Sequence, residues 1–460
     1  MTGPVYSPQL RTGVLLTGTG TAGAYHAGAL RALIEGGIKI DLIAAHGAGM
    51  LTALATAVDG GARVWDSSGP WTDPRLRQAY RWRPALRFAF IGFVATVAVL
   101  LSPLLILAAA AVIYALATVA ALVSLTGVAE SLVGLYRQMV EVLFDPPILP
   151  TILPRLLVLA VLTIAGVLGW AAAVAMWREQ SRRRVSGAFW WRLASSPLDA
   201  TEPGATAQDT IWRLVRGAST DSRAPSAELG RRYVEVLADN FGQPGFHEVV
   251  LAVHDLDARQ DLIGAVLGAP SRAIFEAPRD GQATDGALVD LTGPQRETLA
   301  GFLTGGFRLP VVNEPATVAF PLESHWRAER HRVCDRPELA VRLVDEVVRL
   351  GIEQLVVISA AGQPAQPSNL RPRPIDLRGR TGELVRSMET AALADALAAA
   401  QARCRAVFLV RPAHNPIGPF DFAAVYDETS DRQWTLAELI EQGRVDAYRQ
   451  VVEPAVSVEE

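Results

Sequence analysis

Gly13-Val14-Leu15-Leu16-Thr17-Gly18-Thr19-Gly20-Thr21-Ala22-Gly23 joins a short apolar run to a cluster of small residues. A helical pattern follows from Tyr25 to Glu35, then the turn Gly36-Gly37 and a second apolar run, Ile40 to Ala45. Short apolar runs bounded by glycine read as buried strands, and the pattern between them as a crossover helix, so this segment is a strand, helix, strand unit. A second helix is predicted over Ala48 to Val58, with Gly60 and Gly61 past its end as C-cap candidates.

The same alternation returns far along the chain. His247 to Val253, Ser271 to Glu276, Gln354 to Ser359 and Arg405 to Val410 read as buried strands, separated by helical patterns such as Pro337 to Leu350 and Gly382 to Ala402. The class is therefore α/β. Ser195 to Gln208 and Gly362 to Arg380, rich in Pro, Gly, Ser and Thr, read as loops.

Between the two parts lies a different composition. Phe88 to Ala129 and Leu156 to Trp177 carry no charged residue, and a bilayer crossing takes roughly 20 apolar residues. Spans are expected near 88–112 and 156–177. The first stretch, if wholly helical, reaches about 60 Å, so it folds back or runs past the hydrocarbon layer. Arginines at 75, 77, 81, 83 and 87 precede it, and arginines at 178, 182, 183 and 184 follow the second. By the positive-inside rule both flanks are cytoplasmic, which favours a hairpin. Gly127 to Phe144 has the spacing of an interfacial helix, and Ser102-Pro103 is expected to kink the first span. The expected organisation is an α/β domain over 12–74 and 186–460, interrupted by a membrane insertion over 75–185.

The 460 residues are half apolar and 20% charged, with a net charge of -4, which argues against a disordered chain and against a basic nucleic-acid binder. Met1 to Arg11 lacks the apolar core of a signal peptide, so an integral membrane protein with its α/β domain in the cytoplasm is expected. Cys334 and Cys404 are too far apart for a paired zinc motif and read as reduced core residues. His325, His331 and Cys334 lack metal-ligand spacing, and no metal or other cofactor is expected.

The small residues at 18–23 lie between strand and helix, where backbone N–H groups converge on an anion. A dinucleotide fold would want an acidic residue at the end of the second strand, but that strand ends Ala45-His46. The next turn, Ala45-His46-Gly47-Ala48-Gly49, is a small-residue strand-to-helix turn of the kind that presents a nucleophile.

In these blocks the chain resembles the patatin-like phospholipases: Leu16 to Leu30 is similar to their opening block, and Ile43 to Met50 falls where their Gly-x-Ser-x-Gly elbow falls. The resemblance implies a three-layer α/β/α domain acting on lipid acyl esters. It implies an oxyanion loop carrying Gly18, Gly20 and Gly23, and a base at Asp285 in the motif Asp285-Gly286-Ala287, placed after the expected strand Ser271 to Glu276. Asp59-Gly60-Gly61 has the same letters but is better read as a helix stop.

Three positions depart from the family pattern: Gly47 stands where the serine belongs, Ala45 replaces the elbow's first glycine, and Ala22 replaces a basic residue, whereas Gly49 is kept. Without the hydroxyl there is nothing for a carboxylate to activate. The leading expectation is thus a catalytically impaired protein that binds membrane lipid or acyl groups in the ancestral pocket, with protein partners undetermined. One alternative is a lipid acyl hydrolase using His46 or another group such as Ser359, and another is a nucleotide-binding module using the glycine loop. His26 reads as structural, while His254-Asp255-Leu256-Asp257, at a strand end, either touches the active-site face or is a solvated loop. Gly47→Ser is expected to recover esterase activity if the pocket is intact.

Overall fold

The strand β1 (Thr12–Thr17) is buried at every residue, because it has a sheet neighbour on each side and helices over both faces. This is why its sequence is an unbroken apolar run rather than an alternating one. The computed structural model describes residues 5–66, 69–144, 149–178, 196–216, 225–278, 286–310, 312–363 and 376–456. Within these the chain divides into two compact units, Met1–Arg81 with Leu198–Glu460, and Trp82–Pro197.

The first unit is mixed α/β with a mostly parallel central sheet. After β1 come α1 (Ala22–Glu35), β2 (Leu42–Ala45) and α2 (Gly49–Asp59), whose C-cap Gly60 is left-handed at φ 55°. Further on come β3 (Glu248–Asp255), β4 (Gln260–Val266), β5 (Leu288–Asp290), β6 (Ala316–Ala319), β7 (Arg330–Cys334), β8 (Gln354–Ser359) and β9 (Ala406–Val410). The order across the sheet is β9-β8-β1-β2-β3-β4-β5, with β7 pairing the end of β3 and β6 pairing β7. β9, β8, β1, β2 and β3 run parallel, and β4 turns back antiparallel to β3.

Side chains alternate between two cores, as a period of two requires. Val14, Leu16, Ile43 and Ala45 face α1, α2 and α12 (Leu436–Ala447), whereas Leu15, Leu42 and Ala44 face α10 (Leu339–Arg349) and α11 (Leu377–Gln401). The strand order reverses at β1, between β8 and β2, and in open α/β sheets the crevice at the carboxyl ends of such strands collects ligands.

Two expectations fail, and a third, the loop Gly362 to Arg380, lies outside the described residues over 364–375 and ends inside α11. Ser271 to Glu276 is not a strand but part of helix α8 (Ala269–Glu276), because Pro270 at the first turn presets the helical φ and Ser271 and Phe275 are buried four residues apart. Ser195 to Gln208 is not a loop throughout, since α6 (Thr201–Val215) begins inside it; its buried face includes Thr206 and Thr210, and the Thr210 hydroxyl donates to the Thr206 carbonyl. The sequence pattern did not mark the strands β4 to β7.

In the second unit, α3 (Pro84–Leu122) is one helix of 39 residues, about 58 Å long at the usual rise, so it runs on rather than folding back. Two of its stretches, Pro84–Leu101 and Leu104–Leu122, are long and apolar enough to cross a membrane. Almost nothing in them is buried, and Phe90, Leu107 and Leu122 are exposed. α4 (Thr126–Phe144) lies against α3, its Tyr136 hydroxyl donating to the Ile106 carbonyl at 3.0 Å, and α5 (Leu149–Arg178) meets α3 where Gly92 faces Ile164. The helix is continuous through Ser102-Pro103, whose side chains, like arginines 182, 183 and 184, lie outside the described residues.

In the first unit α1 and α12 touch backbone to backbone: a Cβ on Gly28 would lie 1.7 Å from the Ile440 carbonyl oxygen. Gly28→Val is therefore expected to lower stability by about 1–3 kcal/mol or more, since neither helix can give way locally. Arg31→Ala, which removes only the exposed pair with Glu35, is expected to stay within about 0.5 kcal/mol. Thermal unfolding of the two variants in detergent checks the contrast.

Candidate functional site

The carboxyl ends of β1 and β2 meet in a buried polar cluster. β1 ends in Thr17, and β2 hands over to His46 and the turn at Gly47. The Thr17 hydroxyl lies 2.8 Å from His46 Nε2, and His46 Nδ1 lies 2.9 Å from Asp335 Oδ1. A carboxylate only accepts, so Nδ1 carries a proton; this assigns the tautomer from its partner. Asp335 Oδ2 accepts the Thr19 hydroxyl at 3.0 Å, and the Thr19 backbone N–H donates to Glu389 Oε1 at 2.7 Å. Thr17, Thr19, His46, Asp335 and Glu389 are all buried, the first four almost completely.

Gly47 sits at the apex of the turn with φ 60°, a left-handed conformation. The strained strand-to-helix elbow of acyl hydrolases is a turn of this kind. Here the space that a side chain would need is filled: a Cβ on Gly47 would lie 2.4 Å from the Gly18 carbonyl oxygen and 2.8 Å from Asp335 Oδ2. Ala48 N–H closes the same gap by donating to the Gly18 carbonyl.

The glycine loop is equally occupied. Besides Thr19 N–H, which Glu389 takes, Thr21 N–H donates to the Pro419 carbonyl at 3.1 Å and Ala22 N–H to the Thr19 carbonyl. Gly18 and Gly20 have positive φ, and Gly23 packs against Trp71. Gly49 packs against Leu16 and the ring of His26. Of the glycines that the resemblance assigns to an oxyanion loop, Gly23 gives its N–H to the Gly20 carbonyl, and the neighbouring N–H groups of Thr19, Thr21 and Ala22 are taken by the chain's own oxygens.

Asp285 lies outside the described residues. The positional reason for choosing it, a preceding strand, is removed by α8. Gly286 follows at φ 86°, its carbonyl accepting Trp326 Nε1–H, and Ala287 is buried at the head of β5. The carboxylate beside Gly47 is Asp335. Ser359 ends β8 in register with Thr17, and its hydroxyl accepts the Ala361 N–H. His254 pairs with Asp261, His331 with Asp255, and Asp257 with Arg332. Cys334 reaches the His254 carbonyl, and among the described residues no three His, Cys, Asp or Glu side chains are grouped to hold a metal ion.

Asp335 and Glu389 were both missed in the sequence. Glu389 had a readable signal: it shares a helical face with the buried Val385, Ala392 and Ala396, at spacings of four, three and seven. Asp335 meets His46 across 289 positions of chain and had none.

Burial pushes the Glu389 carboxyl up to about 7, with the Asp335 charge acting the same way and the Thr19 hydrogen bonds opposing. Burial pushes His26 down to about 3, despite its hydrogen bond to the Thr17 carbonyl. The folded chain therefore keeps a proton on Glu389 that the unfolded chain releases above about pH 4.5, and stability falls as pH rises from there to about 7. His26 has the opposite sign: the stability of its neutral burial is lost as pH falls from 6.5 towards about 3. Glu389→Gln is expected to flatten the decline between pH 4.5 and 7, measured as the unfolding midpoint against pH. Equal slopes in parent and variant would reject a protonated Glu389.

No protein-family model matches the chain, and no curated protein matches it. Among solved structures, the crystal structure of VipD from Legionella pneumophila is similar over 97% of this chain and 67% of that one, at 10% identity and a TM-score of 0.28. At that score the likeness carries no argument, and function has to be read from the geometry of the site itself.

Proposed function

We propose that the chain is a membrane-anchored protein of patatin-like ancestry, with an elbow that has lost its nucleophile and a pocket that binds lipid or acyl groups without turning them over. The observation that carries this is Gly47. It keeps the left-handed turn of an elbow, yet the place of the missing side chain is taken by the Gly18 carbonyl and Asp335. An enzyme needs that side chain and the room to move a proton from it.

Purified protein is expected to show no turnover of phospholipid or short acyl esters. Gly47→Ser, which the sequence alone made the natural route to recovery, is expected to stay inactive and to unfold earlier than the parent, because its Cβ meets a backbone oxygen. Esterase activity in Gly47→Ser would overturn the filled elbow.

A second reading rests on a specific geometry. Thr17, His46 and Asp335 are connected as hydroxyl, imidazole and carboxylate, the connectivity of an acyl-transfer relay. If Thr17 is a nucleophile, a fluorophosphonate probe labels the parent protein and fails to label Thr17→Ala. The burial of all three side chains favours the first reading. Nucleotide binding is less well supported, since the loop N–H groups at Thr19 and Thr21 already have acceptors.

Membrane anchoring through α3 is supported by exposed apolar surface that water would penalise, by roughly 25 cal/mol per Å². The arginines at 75, 77, 81, 83 and 87 favour the cytoplasmic side for the α/β unit by the positive-inside rule, and they suit anionic headgroups. The chain is expected to remain in the membrane pellet through high salt and alkaline carbonate. Release by salt alone would reduce the attachment to surface charge.

A further inference from the structure

From Asn415 to Phe422 the chain has no regular secondary structure and carries Pro416 and Pro419, which stiffen it. It crosses the glycine loop as a strap. Thr21 gives its backbone N–H to the Pro419 carbonyl and its hydroxyl to the Gly418 carbonyl at 2.8 Å. Ile417, Phe420 and Phe422 are buried, and both phenylalanines lie against the ring of Tyr80, with centroids 5.0 and 5.6 Å away.

The strap is held from one side by a single helix. Arg378 of α11 donates to the Phe420 carbonyl and to Asp421, and Arg386 donates to the Ile417 carbonyl. One turn further along the same face, Glu389 takes the N–H of Thr19. Thus α11 clamps the strap and fills the loop at once. A cavity of about 230 Å³ lies between them, lined by Arg378, Gly382, Glu383, Arg386, Pro419 and Phe420, so the strap has room to shift. Just past its end, Ala424 is held at φ 123°, a region that residues with a Cβ rarely adopt.

We propose that the strap is a displaceable internal plug: its backbone carbonyls stand in for an acyl carbonyl on the glycine loop, and a lipid ester takes their place when it swings out. This rests on the glycine loop being the ligand site, and it adds how a loop whose residues are buried is reached.

Hydrogen exchange on the full chain in lipid nanodiscs tests it. In nanodiscs of a dialkyl ether phosphatidylcholine, which has no acyl carbonyl, Arg386→Ala is expected to raise exchange at least tenfold at both 17–24 and 415–422. Ala424→Gly is expected to slow both, and β8 is expected to keep the parent rate in both variants. In diacyl phosphatidylcholine, the Arg386→Ala strap should still exchange fast while 17–24 regains protection. Faster exchange of β8 in step with the strap, or unchanged 17–24 in the ether lipid when the strap is loose, would overturn the plug. A loose strap with no difference between ester and ether lipids would leave the plug standing and remove the acyl ligand.

Discussion

A buried carboxylate has to be met by donors, and Asp335 is met by two: the imidazole of His46 and the hydroxyl of Thr19. These partners belong to the end of β2 and to the glycine loop, while Asp335 itself follows β7, an antiparallel strand that only touches the far end of β3. One side chain therefore ties the parallel half of the sheet to the antiparallel half. Removing one partner of such a pair strands the other in a dry interior, which typically costs about 3–5 kcal/mol. The position of Gly47 follows from it, because the turn has closed down onto Asp335 Oδ2 and the Gly18 carbonyl.

The same economy of space explains why the site is shut. Each oxygen that approaches the loop, from Glu389, Pro419 and Thr19, satisfies an N–H that would otherwise be unpaired at the start of α1. Here the N–H groups of Thr19, Thr21 and Ala22 are taken within the fold, and burial, with the Asp335 charge acting the same way, pushes the Glu389 carboxyl up to about 7.

What the sequence disclosed was whatever is local. β1, α1, β2 and α2 were readable because buried parallel strands are continuous apolar runs and glycines mark their ends, and β8 was placed to the residue. β7 was hidden by Arg330 and Arg332, exposed charges that alternate with the buried His331 and Val333. Ser271 to Glu276 is short enough that a helix and a strand predict the same letters, and only Pro270 pointed to the helix. His46 and the glycines stood out because a small-residue strand-to-helix turn has a sequence shape. Asp335 has none, since what selects it is a contact made by the finished sheet.

β2 is completed by β3, and the segment that forms unit two is threaded between them. At ordinary synthesis speeds of about 5–20 residues per second, the roughly 200 residues separating the two strands take on the order of 10–40 s to emerge. For that interval β1 and β2 have neither outer neighbour, since β8 comes later still, and two apolar strands keep open edges of the sort that recruit other chains. The apolar helices of the insertion emerge within the same interval. Open strand edges and exposed apolar helices thus coexist for that interval, so the chain's yield in a cell is set by what covers both before it is set by the stability of the sheet.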